Sequence, residues 1–170
     1  MEIGPERMSD NVDQSTRSRM MSGIRGKDTK PERVVRSGLH RRGLRFRLQR
    51  RDLPGRPDLV LTRFRAAVFV HGCFWHRHGG CRYTASPATR EDFWTEKFRR
   101  NIQRDRAVQG QLRQLGWRVF VVWECGLRHA PEQTIDELAM CIKETKTHDV
   151  IEIPLAPPVI GTFTDDRCFR

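Results

Sequence analysis

The 170-residue sequence contains no apolar run approaching eighteen residues, which excludes a membrane-spanning helix. Its first thirty residues hold no apolar signal core, which argues against secretion. The thiols are therefore expected to stay reduced, and five cysteines is an odd number for a disulfide framework. Repeats and low-complexity segments are absent, so solenoid and fibrous architectures drop out. Hydrophobic residues make up only 37% of the chain, yet nine Phe and four Trp leave enough to build one core. The expectation is a basic, cytoplasmic protein.

Acidic residues are missing where basic ones crowd. Arg33 to Arg51 holds eight arginines and no Asp or Glu. The segment from Pro131 onward is acidic by 4, so of the formal +11 the first 130 residues carry +15. A one-sided basic surface suits a polyanion, and guanidinium forks match phosphate oxygens bidentately. Charge alone separates neither DNA from RNA nor binding from cutting.

Residues 1–28 read as a mobile arm that orders on nucleic acid, 29–150 as the folded domain, and 151–170 as an irregular tail. Thr29 and Glu32 form a capping-box signature for a helix ending near Gly43. Short strands are expected near 44–48, 58–62 and 66–71, and an apolar strand at 117–123. A long helix should run from about Thr89 to Gly116, and another from Pro131 to Thr145. The predicted fold is a single α/β domain with a mixed central sheet flanked by helices.

Three groups of residues carry chemistry. Pro57-Asp58 opens a strand after a rigid turn, and His71 ends the next strand, so both can reach one end of the sheet. A carboxylate beside a backbone carbonyl suits Mg²⁺, and an imidazole can deprotonate water, which together suggest metal-assisted phosphodiester hydrolysis. Asp58 closing a turn is the competing reading. Asp105 falls on the apolar stripe of the long helix, where a carboxylate needs a partner, either a histidine it orients or an arginine. Finally, His71 to Cys81 packs two Cys and three His into eleven residues, and Cys125 follows the apolar strand. Cys73, His78, Cys81 and Cys125 make a Cys3His set typical of structural Zn²⁺, with His76 the other candidate for the histidine position; Cys141 and Cys168 read as bystanders.

Taken together, these stretches resemble the very short patch repair endonucleases, which nick DNA at T:G mismatches. The resemblance rests on Thr16 to Met20, Leu53 to Asp58, His71-Gly72-Cys73-Phe74-Trp75-His76, Pro87 to Arg90, Asn101 to Asp105, and Leu115 through Cys125. It implies a restriction-endonuclease-like core and Mg²⁺ bound by Asp58 and the Val70 carbonyl. It also implies His71 as general base, His76 in hydrolysis, Asp105 paired with a catalytic histidine, and Glu32 near the site. Phe74 and Trp75 would wedge beside the mispair, with Met20 entering from the other groove, and Zn²⁺ would sit on the Cys3His set. The implied substrate is double-stranded DNA with a T:G mispair left by 5-methylcytosine deamination. The implied setting is the bacterial nucleoid, with the protein a monomer working beside a cytosine-5 DNA methyltransferase and mismatch-repair proteins. Departures from the family pattern are Val70 in place of a threonine, Arg77 in place of a histidine, and an extra residue at Gly79-Gly80. A restriction-type nuclease on matched DNA and a non-catalytic zinc-stapled DNA-binding module are the rival readings.

Overall fold

A computed structural model describes residues 28–155 apart from 88, 146 and 148. The expected arm, with Met20, and most of the expected tail lie outside the described residues. The first helix, α1 (Lys30–Arg41), begins with the anticipated capping box: Thr29 caps the Glu32 amide and Glu32 reaches back. Then come β1 (Arg47–Leu48), β2 (Leu59–Leu61) and β3 (Ala66–His71). A one-turn helix, α2 (Cys73–His76), precedes the long α3 (Glu91–Gln114). The chain continues through β4 (Arg118–Trp123), α4 (Glu124–His129), α5 (Pro131–Glu144) and β5 (Val150–Ile153).

The five strands form one mixed sheet in chain order, β1 to β5. β2 runs antiparallel to β1 and β3, whereas β4 runs parallel to β3 and β5. Strand side chains alternate between faces. Leu59, Leu61, Val68, Phe120 and Val122 therefore join α1 and α5 in one core through Val35, Leu39, Ile135, Leu138 and Ile142. The opposite face sends Val60, Ala67, Phe69 and Val119 against Leu112 and Val108 of α3.

Three differences from the sequence reading have simple causes. β5 occupies Val150–Ile153, where an irregular tail was expected from 151. Its Val-Ile-Glu-Ile stretch is short and precedes Pro154, so it has no periodic signal of its own, and pairing to β4 supplies the strand. The long helix, expected to run to Gly116, ends at Gln114, and Leu115 is 52% exposed where the chain turns at Gly116. Some arginines of the basic block are also paired with carboxylates of the domain itself. Arg41 and Arg42 pair with Glu132, Arg42 with Asp136, and Arg36 with Glu32. These contacts tie α1 to α5 and to its own first turn, with Arg41 still mostly exposed.

Candidate active site and metal centre

Residue parity along the strands builds the site. Asp58 lies two residues before Val60 and His71 two after Phe69, so both fall on the α3 side of the sheet. The β2–β3 ladder stops at Leu59 opposite Val68. Beyond it the Val70 N–H donates to Asp58 Oδ2 at 2.8 Å, replacing a strand partner with a carboxylate. In an extended strand the N–H and C=O of one residue point to the same side, so the Val70 carbonyl shares that edge. Burial raises the Asp58 carboxyl to a pKa of about 6, with the Glu32 charge adding to it against the Val70 hydrogen bond.

Two histidines meet at the end of β3. His71 is buried, and its ring stacks on His76 at 3.8 Å between centroids, only 14° from parallel. Burial first, and the His76 charge second, lower its pKa to about 3, so the imidazole is neutral at physiological pH. His76 Nδ1 lies 2.6 Å from Asp105 Oδ2, and Arg104 pairs more loosely with the other carboxylate oxygen at 3.7 Å, so both partners weighed for Asp105 are present and the histidine is the nearer. Burial pushes the Asp105 carboxyl up, but the His76 hydrogen bond and the charges of His76, His71 and Arg104 hold it below the ordinary range.

These groups line a cleft of 1060 Å³ together with Glu32, Trp75, Lys97, Asn101 and Arg104. Glu32 is buried, and its oxygens accept from the Asp28 and Thr29 amides, the Thr29 hydroxyl and Arg36. Its observed contacts are those of a helix cap at the cleft wall. Lys97, Asn101 and Asp105 recur at steps of four on α3, so one helical face delivers all three to the cleft. That spacing was available in the sequence, but only Asp105 was singled out from it. Lys97 Nζ lies 5.0 Å from the Trp75 ring centroid and 5.5 Å from that of Trp94, and Asn101 donates to the Trp75 carbonyl. Phe74 meets Trp94 and Phe98 edge-on at 5.6 and 5.2 Å, so it is anchored in an aromatic cluster, while Trp75 borders the cleft. Glu124, at the start of α4, also borders the cleft, a position that only the parallel β3–β4 register reveals.

The Cys/His group converges next to this cleft. Register places His71 opposite Trp123, so the residues just after the two strands, Cys73 and Cys125, come together. His78 Nε2 lies 3.3 Å from Cys73 Sγ and 3.5 Å from Cys125 Sγ. One ligand atom from each of Cys73, His78, Cys81 and Cys125 falls within 4.8 Å of the others, so the four could hold a metal. A tetrahedral Zn²⁺ with ordinary bond lengths needs S···N separations of about 3.5 Å, which the set meets. The neighbouring Cys125 thiol, with burial, holds the Cys73 thiol up, and Cys73 holds Cys125 down; a metal would bind both as thiolates. Burial lowers the His78 pKa, which favours the neutral, ligating ring.

Comparison with known proteins agrees with this geometry. The sequence model of a family described as DNA mismatch endonuclease Vsr matches residues 9–82. DNA mismatch endonuclease Vsr of Escherichia coli (strain K12) is 45% identical over 137 residues, covering 81% of this chain and 87% of that protein. The chain belongs to the Vsr family. Its members share a restriction-endonuclease-like core, and the protein is accordingly a DNA endonuclease. Two type II nicking enzymes are similar as well. V.XorIIP of Xanthomonas oryzae pv. oryzae is 48% identical over 71% of this chain and 88% of its own length. V.NmeAIP of Neisseria meningitidis is 41% identical over 72% and 86%. Among the described residues of this Vsr-family chain, no helix is long and apolar enough to cross a membrane.

Proposed function

We propose that the protein nicks one strand of double-stranded DNA, in a Mg²⁺-dependent reaction, 5′ of the thymine in T:G mispairs left by 5-methylcytosine deamination. The observation that carries the reading is the His76–Asp105 pair beside the half-buried Asp58 carboxylate in one cleft. Asp105 holds the proton on His76 Nδ1, which leaves Nε2 free as a base. His76 therefore takes the general-base role on the attacking water that the sequence reading gave to His71. The neutral His71 ring packs against it and faces the scissile phosphate. Lys97, Arg56 and Arg104 at the cleft rim attract the phosphodiester backbone.

Asp58 and the Val70 carbonyl are hard oxygen donors, and a carboxylate held near pKa 6 by burial is one whose charge a cation would relieve. Mg²⁺ there would supply Lewis-acid stabilisation of the phosphoryl oxygens. The Cys3His set suits Zn²⁺ with no open position, so it would staple the α2 loop to α4 and not cut. Phe74 and Trp75, joined by Met20 from the arm, unstack the base step at the mispair, where pairing is weakest. Such lesions arise where a cytosine-5 DNA methyltransferase has acted, which joins this protein to that enzyme and to mismatch repair. It works as a monomer at the bacterial nucleoid.

The test compares matched C:G and T:G duplexes of one sequence, with Mg²⁺ or with chelator. Metal-dependent nicking of the T:G duplex alone is expected. Equal cutting of both duplexes would instead favour the restriction-type reading, and no cutting of either would leave a binding module.

A further inference from the structure

We propose that Trp123 is a positioning residue that couples the Cys3His set to the His71–His76 pair, with Glu152 of β5 fixing the indole. The β3–β4 register sets His71 directly opposite Trp123. Paired residues of neighbouring strands project to the same face, so the two rings are adjacent at the end of the sheet. The indole meets the His71 ring edge-to-face at 5.4 Å, with 69° between the planes. It also stacks on the ring of His78, a member of the Cys3His set, at 4.1 Å and 27°. His71 in turn stacks on His76, so four rings run in contact from the Cys3His set to the partner of Asp105. Phe69, tilted at 5.8 Å, is another ring beside His71, but it belongs to the core under α3.

Glu152 makes the orientation of that indole specific. Trp123 is buried, and a buried indole N–H needs an acceptor. Its Nε1–H donates to Glu152 Oε2 at 2.9 Å. Glu152 pairs with Val121 in the β4–β5 register, so it lies on the face that Trp123, two residues on, also uses. An indole rotated about its side-chain bonds would lose this acceptor, so the hydrogen bond selects one orientation of the ring. Trp123 packs in one buried cluster with Cys73 and Cys125. His78 in the Cys3His set and His71 at the cleft therefore rest on the same support.

The consequence is that order in the Cys3His loop reaches the cleft histidines through a ring contact as well as through the backbone of α2. A carboxylate on the last strand, outside the cleft, becomes part of what sets the plane of His71. The coupling stands independently of nicking; its kinetic effect rests on the proposed nicking activity.

The test follows histidine ring C–H signals by NMR in zinc-loaded, DNA-free protein: the parent, Glu152→Ala and Glu152→Gln. An indole's ring current shifts the protons beside it, so a turned indole moves its neighbours' signals. In Glu152→Ala the His71 and His78 signals should both move, while His40 on α1 stays in place and zinc is retained. Glu152→Gln keeps an acceptor for the indole N–H and should restore both. Single-turnover nicking of a T:G duplex should be about tenfold slower in Glu152→Ala with DNA affinity unchanged, and close to the parent in Glu152→Gln. Trp123→Phe keeps a ring but lacks the N–H, so it should slow similarly, and combining it with Glu152→Ala should cost nothing more. Movement of the His78 signals alone, or of neither ring, would overturn the coupling. A parent-like rate despite displaced His71 signals, or losses that multiply in the double variant, would overturn the positioning role. The ring signals need neither DNA nor turnover, so they decide the coupling separately from the nicking reading.

Discussion

Asp105 Oδ2 stands 2.6 Å from His76 Nδ1, joining the middle of a 24-residue helix to a one-turn helix twenty-nine residues earlier in the chain. The bond fixes both the tautomer and the plane of the ring. Asp105→Asn keeps the shape but can donate its own proton to Nδ1, which favours the wrong tautomer. The turnover rate should fall by roughly 10²–10⁴-fold with DNA affinity little changed, as single-turnover kinetics and a binding titration would report. A fall in affinity with turnover preserved would show that Asp105 serves only packing.

Asp58 sets function against stability. Its folded-state pKa of about 6 lies above the ordinary carboxyl value of 3.8, so the native state holds the proton more tightly than the unfolded chain. That proton's contribution is fully present below pH 3.8 and is lost as the pH rises through about 6. Asp58→Asn removes the half-buried charge and keeps an oxygen for the Val70 N–H. The variant should melt a few degrees higher than the parent at pH 7.5, a gain that shrinks toward pH 4, while losing metal-dependent nicking. Thermal melts across pH in metal-free buffer check this. A lower melting temperature at pH 7.5 would mean that the carboxylate stabilises the fold.

Gly55 lets the Asp58 turn sit close to α3. Its φ is +68°, and a Cβ there would lie 2.3 Å from Val108 Cγ1. Gly55→Ala should cost about 1–3 kcal/mol, combining left-handed strain with overpacking. Val108→Ala in the same chain should restore the overpacking part only. Urea denaturation of the three variants separates the two contributions.

Removing a ligand from the Cys3His set should act on the fold before it acts on catalysis. Cys125 is buried at the start of α4, and Cys73 opens α2, which carries His76. Cys125→Ser should reduce bound zinc from one equivalent to near zero and lower the melting temperature by roughly 10 °C or more. Metal analysis with a thermal melt checks both. A variant that binds no zinc but melts like the parent would show that the four side chains converge without a structural ion.

Much of the site was legible because it lies in short, chemically dense segments. Pro57-Asp58, His71 to Cys81 and the apolar 118–123 strand declare themselves by residue type and spacing. The fold class followed from periodicity, but strand order did not, because pairing depends on which faces meet in three dimensions. The short β5 was missed for that reason, and so was Glu124 at the cleft wall. Asp105 was visible as a charge on an apolar stripe, yet its partner was not, since His76 reaches it only after α2 has turned the loop. The arginine block was legible as charge but not as pairing. Charge density along a sequence does not show that acidic residues of α5, ninety positions later, will pair with Arg41 and Arg42.

The most direct test of the account is a mapped cleavage of one duplex holding a single T:G mispair, with each strand end-labelled separately. The account predicts one Mg²⁺-dependent break immediately 5′ of the mispaired thymine, an intact guanine strand, and no break when the thymine is replaced by cytosine. Breaks in both strands, or equal cleavage of the matched duplex, would contradict it.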